Sequence, residues 1–130
     1  MLMPRNPAET YRKVDFDARV EGADPQALVL VCYETLVASL GTALFAHERG
    51  DNRSKSAAIT RALGAMTALQ LGIRGEDGVA HALRQFLEAA RRSLLDSAVT
   101  LEPQRIRVMR QDFQEIAAAM TAATSQPAIA

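Results

Sequence analysis

The sequence of 130 residues has no tryptophan, one cysteine (Cys32) and only two histidines. A single cysteine excludes an internal disulfide and a multi-cysteine zinc site, and it suits a reducing compartment. There is no excess of either charge: 15 Lys+Arg stand against 15 Asp+Glu. That removes the simplest basis for nucleic-acid binding, which is neutralisation of phosphates. Neither a glycine-rich phosphate loop nor a dinucleotide fingerprint occurs. The turn Gly75-Glu76-Asp77-Gly78 lacks the oxygen-ligand spacing of a calcium loop. Di-iron bundles use Glu-x-x-His pairs, but the residues three before His47 and His81 are Leu44 and Gly78. The N-terminus, Met1 to Pro7, has no apolar core of signal-peptide length. The uninterrupted apolar run Leu28 to Tyr33 falls far short of the about 20 residues of a membrane span. These absences point to a soluble, cytoplasmic protein that is not an enzyme and needs no metal or cofactor.

What is abundant is alanine, with 24 residues, and leucine, with 14. Both are strong helix formers, and β-branched residues are comparatively scarce. Hydrophobic residues reach 48%, enough to build a core. With only 7 glycines and 5 prolines, breakers divide the chain at a few places. Asp24-Pro25 reads as an N-cap followed by proline at the first helical position. That helix runs to about Arg49, where Gly50 ends it and Asp51-Asn52 starts the next. The second helix runs to Gly72, and a third covers about Asp77 to Val99. Glu102-Pro103 opens a fourth, which ends near Ala122.

Apolar spacing supports these assignments. In the fourth segment Ile106, Met109, Phe113, Ile116 and Met120 are spaced 3, 4, 3, 4. Val79, Leu83, Phe86, Ala90 and Leu94 make a similar stripe in the third, and Ile59 to Ile73 a looser one in the second. Four helices joined by short loops predict an all-α, antiparallel up-down four-helix bundle. The expected division is an N-terminal arm or short extra helix over 1–23, the bundle over 24–122 and a flexible tail over 123–130.

The first helix carries more apolar surface than a bundle needs. Cys32, Val29, Leu36, Leu40, Tyr33, Ala43 and neighbours cover an arc of roughly 160°, against a little over 100° for an ordinary bundle helix. Leu28, Val31 and Phe45 lie outside even that arc. The surplus is either the mark of a central helix or a face awaiting the N-terminal arm, a second subunit or a partner.

Single residues give little chemistry. Cys32 lies on the apolar arc, where a buried structural thiol is expected. His47, beside Glu48 and Arg49, complements a helix dipole. Ala80-His81-Ala82-Leu83-Arg84 resembles the phosphorylated stretch of histidine phosphotransfer domains, with Gln85 where those have a small residue. Arg84, Arg91, Arg92, Arg105, Arg107 and Arg110 concentrate on the last two helices, and Glu9, Asp15, Asp17, Glu21 and Asp24 at the N-terminus. Their attraction would hold the arm on the bundle.

One pattern is more specific. Tyr11-Arg12-Lys13-Val14, a spacer, then Ala23-Asp24-Pro25-Gln26-Ala27-Leu28-Val29-Leu30-Val31-Cys32-Tyr33-Glu34 resembles the flagellar secretion chaperone family, the cytosolic chaperones of flagellin. Glu48-Arg49-Gly50-Asp51 is similar to the family's end of the first long helix, and the resemblance extends over about Tyr11 to Met120. The third helix departs from it: Leu87, Ala89 and Ala90 stand where Tyr or Met is common, and Ser97 where Asn is.

The resemblance implies a helical bundle that binds the disordered C-terminal region of flagellin, prevents premature polymerisation and supports its secretion. It implies a partner groove to which Leu28, Val29, Cys32, Tyr33, Leu36 and Leu40 contribute alongside their share of the core. It implies an N-terminal cover formed by Tyr11 and Val14. Other flagellar export components are further candidate partners. The alternatives at this stage are a phosphorelay domain using His81 and a homodimeric helical adaptor.

Overall fold

The computed structural model describes residues 25–125. They form α1 (Pro25–Glu48), α2 (Asn52–Gly72), α3 (Gly78–Val99) and α4 (Pro103–Ser125), with no strand among the described residues. This is the expected all-α bundle. α4 runs three residues past its expected end at Ala122, because Ala123, Thr124 and Ser125 do not break a helix, and the rest of the expected tail, 126–130, lies outside the described residues. The expected arm at 1–23, with Asp24, lies outside the described residues.

Local signals set the boundaries. Pro25 opens α1, where its missing N–H costs nothing. At the other end Gly50 takes φ +69°, its N–H donates to the His47 carbonyl and the Asp51 N–H to that of Ala46. Those two bonds, with a left-handed glycine after the helix, are the Schellman stop. The Asp51 carboxylate then accepts from the Ser54 N–H at 3.1 Å and caps α2. Asp77 caps α3 in the same way, accepting from the Ala80 N–H at 2.8 Å.

α1 is the central helix, packed closely on α2 and α4, while α2 also packs on α3. The α1–α2 seam is close because its buried side chains are small: Ser39, Ala43 and Ala46 on α1, Ala58, Ala62 and Ala65 on α2. Larger side chains fill the centre, and Leu36, Leu40, Met66, Leu87, Leu94, Ile106 and Phe113 are fully buried. By length and composition alone α1 would span a bilayer, with mean hydropathy 1.8. In the bundle that apolarity serves the packing on α2 and α4.

α3 is attached differently on its two sides. Polar contacts tie it to α2 and the loop that follows, beside the shared apolar core: Arg91 donates to the Thr67 hydroxyl, Gln70 to Glu88 at 3.1 Å, and Arg84 to the Gly75 carbonyl of the loop. Toward α4 the backbones hardly approach, and side chains bridge the gap.

Candidate partner-binding surface

The gap between α3 and α4 is closed by aromatic rings. Phe113 of α4 meets Tyr33 of α1 on one side, with ring centroids 6.1 Å apart, and Phe86 of α3 on the other, at 5.4 Å. Tyr33 and Phe113 are buried, whereas Phe86 is 36% exposed. It therefore covers the core and also faces solvent. Val79, Ala82, Phe86 and Ala89, spaced 3, 4, 3 along one face of α3, are all exposed. Beside them lie the half-buried, core-packed Leu83 of α3 and Ile116 and Met120 of α4. With Phe86 opposite Phe113 and the helices antiparallel, Leu83 falls level with Ile116 and Val79 with Met120. The outcome is an apolar strip that no described helix overlies. Solvated apolar area of this kind is what a helix-in-groove partner removes from water.

The residues expected at a groove divide into two sets. Cys32, Tyr33, Leu36 and Leu40 have their side chains in the core cluster and present almost no surface. Leu28 and Val29 are half-buried. In an up-down bundle α1 begins where α3 begins and α4 ends, so Leu28 and Val29 share an end of the molecule with Val79, Leu83 and Met120. Tyr11 and Val14 lie outside the described residues. Of the surplus apolar residues of α1, Leu28 is half-buried and Val31 buried, leaving Phe45 59% exposed. The strip on α3 and α4 was missed at the level of single residues. Its signal was present in the 3-4-3 spacing of Val79, Ala82, Phe86 and Ala89, but small alanines in a stripe read equally as core.

Among the described residues no group of three or more His, Cys, Asp or Glu is placed to hold a metal ion. Burial pushes the Cys32 thiol above its ordinary range, which keeps it protonated and unreactive. The Tyr33 hydroxyl is pushed up by the same desolvation, with the neighbouring Cys32 thiolate adding to it. His81 is exposed, and its Nε2 is 3.1 Å from the side-chain nitrogen of Gln85. Arg84 donates to the Gly75 carbonyl. Among the described residues, three arginines of the last two helices form ion pairs. Arg92 pairs with Glu88 at 3.9 Å, Arg105 with Glu102 at 3.5 Å and Arg107 with Glu48 at 3.5 Å, all exposed. Such pairs are worth only about 0–1 kcal/mol each.

No curated protein sequence matches the chain significantly. The model of one protein family, described as flagellar protein FliS, matches residues 7–127.

Proposed function

The chain belongs to the flagellar protein FliS family, a family of flagellar export chaperones, and from that premise we propose that its client is the C-terminal region of flagellin. The observation that carries this reading is the apolar strip on α3 and α4. A segment that is disordered when free and helical when bound would place apolar side chains at i, i+3/i+4 and i+7 against Val79, Leu83, Phe86, Ile116 and Met120. Leu28 and Val29 form the rim at the near end. Cys32, Tyr33, Leu36 and Leu40 act from beneath, holding α1 and the ring of Phe113 that supports Phe86.

The client loses ordering entropy when it binds, so a long contact is needed for useful affinity. An extended strip supplies it where a compact pocket would not. Covering flagellin's C-terminal segment in the cytosol would prevent polymerisation and keep the client ready for secretion. Tyr11 and Val14 serve as a removable cover of the same groove in the free chaperone. No step in this work is catalytic.

The experiment is a calorimetric titration of the chain with a peptide from the C-terminal end of its host's flagellin, at several temperatures. Saturable binding with a negative heat-capacity change, weakened by Phe86→Ala, is expected. A folded chain that gives no heat at any temperature with a competent peptide would refute the reading.

A further inference from the structure

On the opposite flank of α4, against α1, lies a second surface of different chemistry. An open depression there is lined by Ala38, Gly41, Thr42, Phe45 and Glu48 of α1 and by Arg110 of α4. The Arg110 guanidinium lies flat over Gly41, and its Nε–H donates to the Val37 carbonyl at 3.2 Å. A Cβ at position 41 would come within 3.1 Å of that Nε. Glycine is unfavourable inside a helix, and here its missing side chain is the space that the arginine occupies.

Arg110 has no carboxylate within ion-pair distance among the described residues, and its recorded hydrogen bond uses Nε. Two of the lining residues carry arginines of their own: Arg49 is packed over the Phe45 ring at 5.2 Å, and Arg107 is paired with Glu48. Glu48 and Asp51 thus offset Arg107 and Arg49, and Arg110 is the guanidinium left without a carboxylate among the described residues. Phe45, 59% exposed, supplies an apolar contact one turn from Arg110's seat. The remaining floor is small, and Ala38, Gly41, Thr42 and Phe45 run at i, i+3, i+4 and i+7, a ridge pattern that admits another helix closely.

We propose that this α1–α4 notch docks an acidic helical segment of a partner protein, with a carboxylate on Arg110 and an apolar side chain on Phe45. A carboxylate is the ligand that matches a planar guanidinium fork bidentately. The proposal does not rest on the flagellin reading: the notch and the α3–α4 strip lie on opposite flanks of α4, so one chaperone holds both partners at once.

The test uses the full chain and a synthetic acetylated, amidated helical peptide with glutamate and leucine repeating on one face. A copy with glutamine for glutamate serves as control. The acidic peptide should bind saturably and shift the backbone amide signals of Ala38, Gly41 and Phe45. Arg110→Gln and the glutamine peptide should each weaken binding about tenfold, and added salt should weaken it further. Arg110→Lys should fall between, because it keeps the charge and loses the fork. Phe45→Ala, at an exposed position, gives an independent reading should the Arg110 variants lose helical circular dichroism. Absence of saturable binding, or shifts confined to Val79 through Ala89, would overturn the proposal. The same amides shifting with chain concentration alone would give the notch to a second copy. Their shifting in Asp15→Asn or Asp17→Asn without any peptide binding would give it to the chain's own N-terminal acids. Either result overturns it as well.

Discussion

Phe113 is fully buried, yet the ring stacked against it, Phe86, is 36% exposed; the two centroids are 5.4 Å apart and the planes are tilted by 56°. The pair links the core to the apolar strip, and the two rings have different duties. Phe113→Ala should cost about 3–5 kcal/mol, the usual loss for a buried phenylalanine. Phe86→Ala should cost at most about 2 kcal/mol, since part of its surface is already in water. Urea denaturation reads both, and the client titration should weaken in Phe86→Ala while the chain stays folded. Equal destabilisation by the two variants, with client binding intact in Phe86→Ala, would place Phe86 in the core alone.

The α1–α2 seam depends on small side chains. Ala62 has no exposed surface, and the backbones of the two helices pass close beside it. Ala62→Leu should therefore destabilise the bundle by about 1–3 kcal/mol through overpacking. Ala82→Leu, on the exposed strip of α3, should stay within about 0.5 kcal/mol of the parent. The same two urea curves decide it, and a neutral Ala62→Leu would mean that the seam is looser than described.

How much of the structure is legible in the sequence depends on where side chains are large. Asp51, Asp77, Gly50 and Pro25 are local signals, and the helix boundaries they mark were legible from composition and spacing. The fourth helix's end was less so, because the alanines after Met120 carry no stop signal. The site was only partly legible. Periodicity picks out apolar faces, and Cys32, Tyr33, Leu36 and Leu40 form the strongest such face, so spacing alone points them to both core and groove. Burial shows that they serve the core directly. Which apolar residues stay wet depends on how near neighbouring helices approach, and spacing within one helix does not encode that. Phe86 and Leu87 are adjacent and similar in character, yet one is partly solvated and the other fully buried.

Alkaline pH should weaken the fold. Burial raises the Cys32 thiol and the Tyr33 hydroxyl above their ordinary values, so the folded state holds both protons where the unfolded chain releases them. Their contribution is complete below the ordinary thiol range, about 8.5, and declines as pH rises through the higher folded values. The free energy of unfolding in urea should fall from about pH 8.5 upward, with Tyr33 adding to the slope above about pH 10. Cys32→Ala should flatten the first part of that slope. A thiol reagent should label Cys32 slowly in the native chain and at a rate that rises with urea. Fast labelling in buffer would contradict the burial.

Acid should act at the start of α2. Asp51 accepts hydrogen bonds from the side chain and backbone of Ser54, and this holds its carboxyl below the ordinary value. A depressed folded value means that the contribution is present above the ordinary aspartate range, about 3.9, and is lost as pH falls through the lower folded value. Asp51→Asn keeps an acceptor for the cap and removes the charge. Thermal melts of that variant should lose part of the acid-side decline, whereas Asp51→Ala should melt lower at every pH. An Asp51→Asn profile that parallels the parent below pH 4 would assign the acid sensitivity elsewhere.

If Tyr11 and Val14 cover the client groove, deletion of residues 1–16 separates cover from core. The described core draws its buried side chains from Val31 to Phe113, so the shortened chain should keep its helical circular dichroism. Apparent client affinity should rise by the inverse of the fraction of chains that are open beforehand, about tenfold if one in ten is open. The same logic gives a dose-dependent test, because a free peptide of residues 1–16 should compete with the client on the shortened chain. Loss of helicity would make the segment part of the fold. Unchanged affinity with no competition would leave Tyr11 and Val14 without a role at the groove.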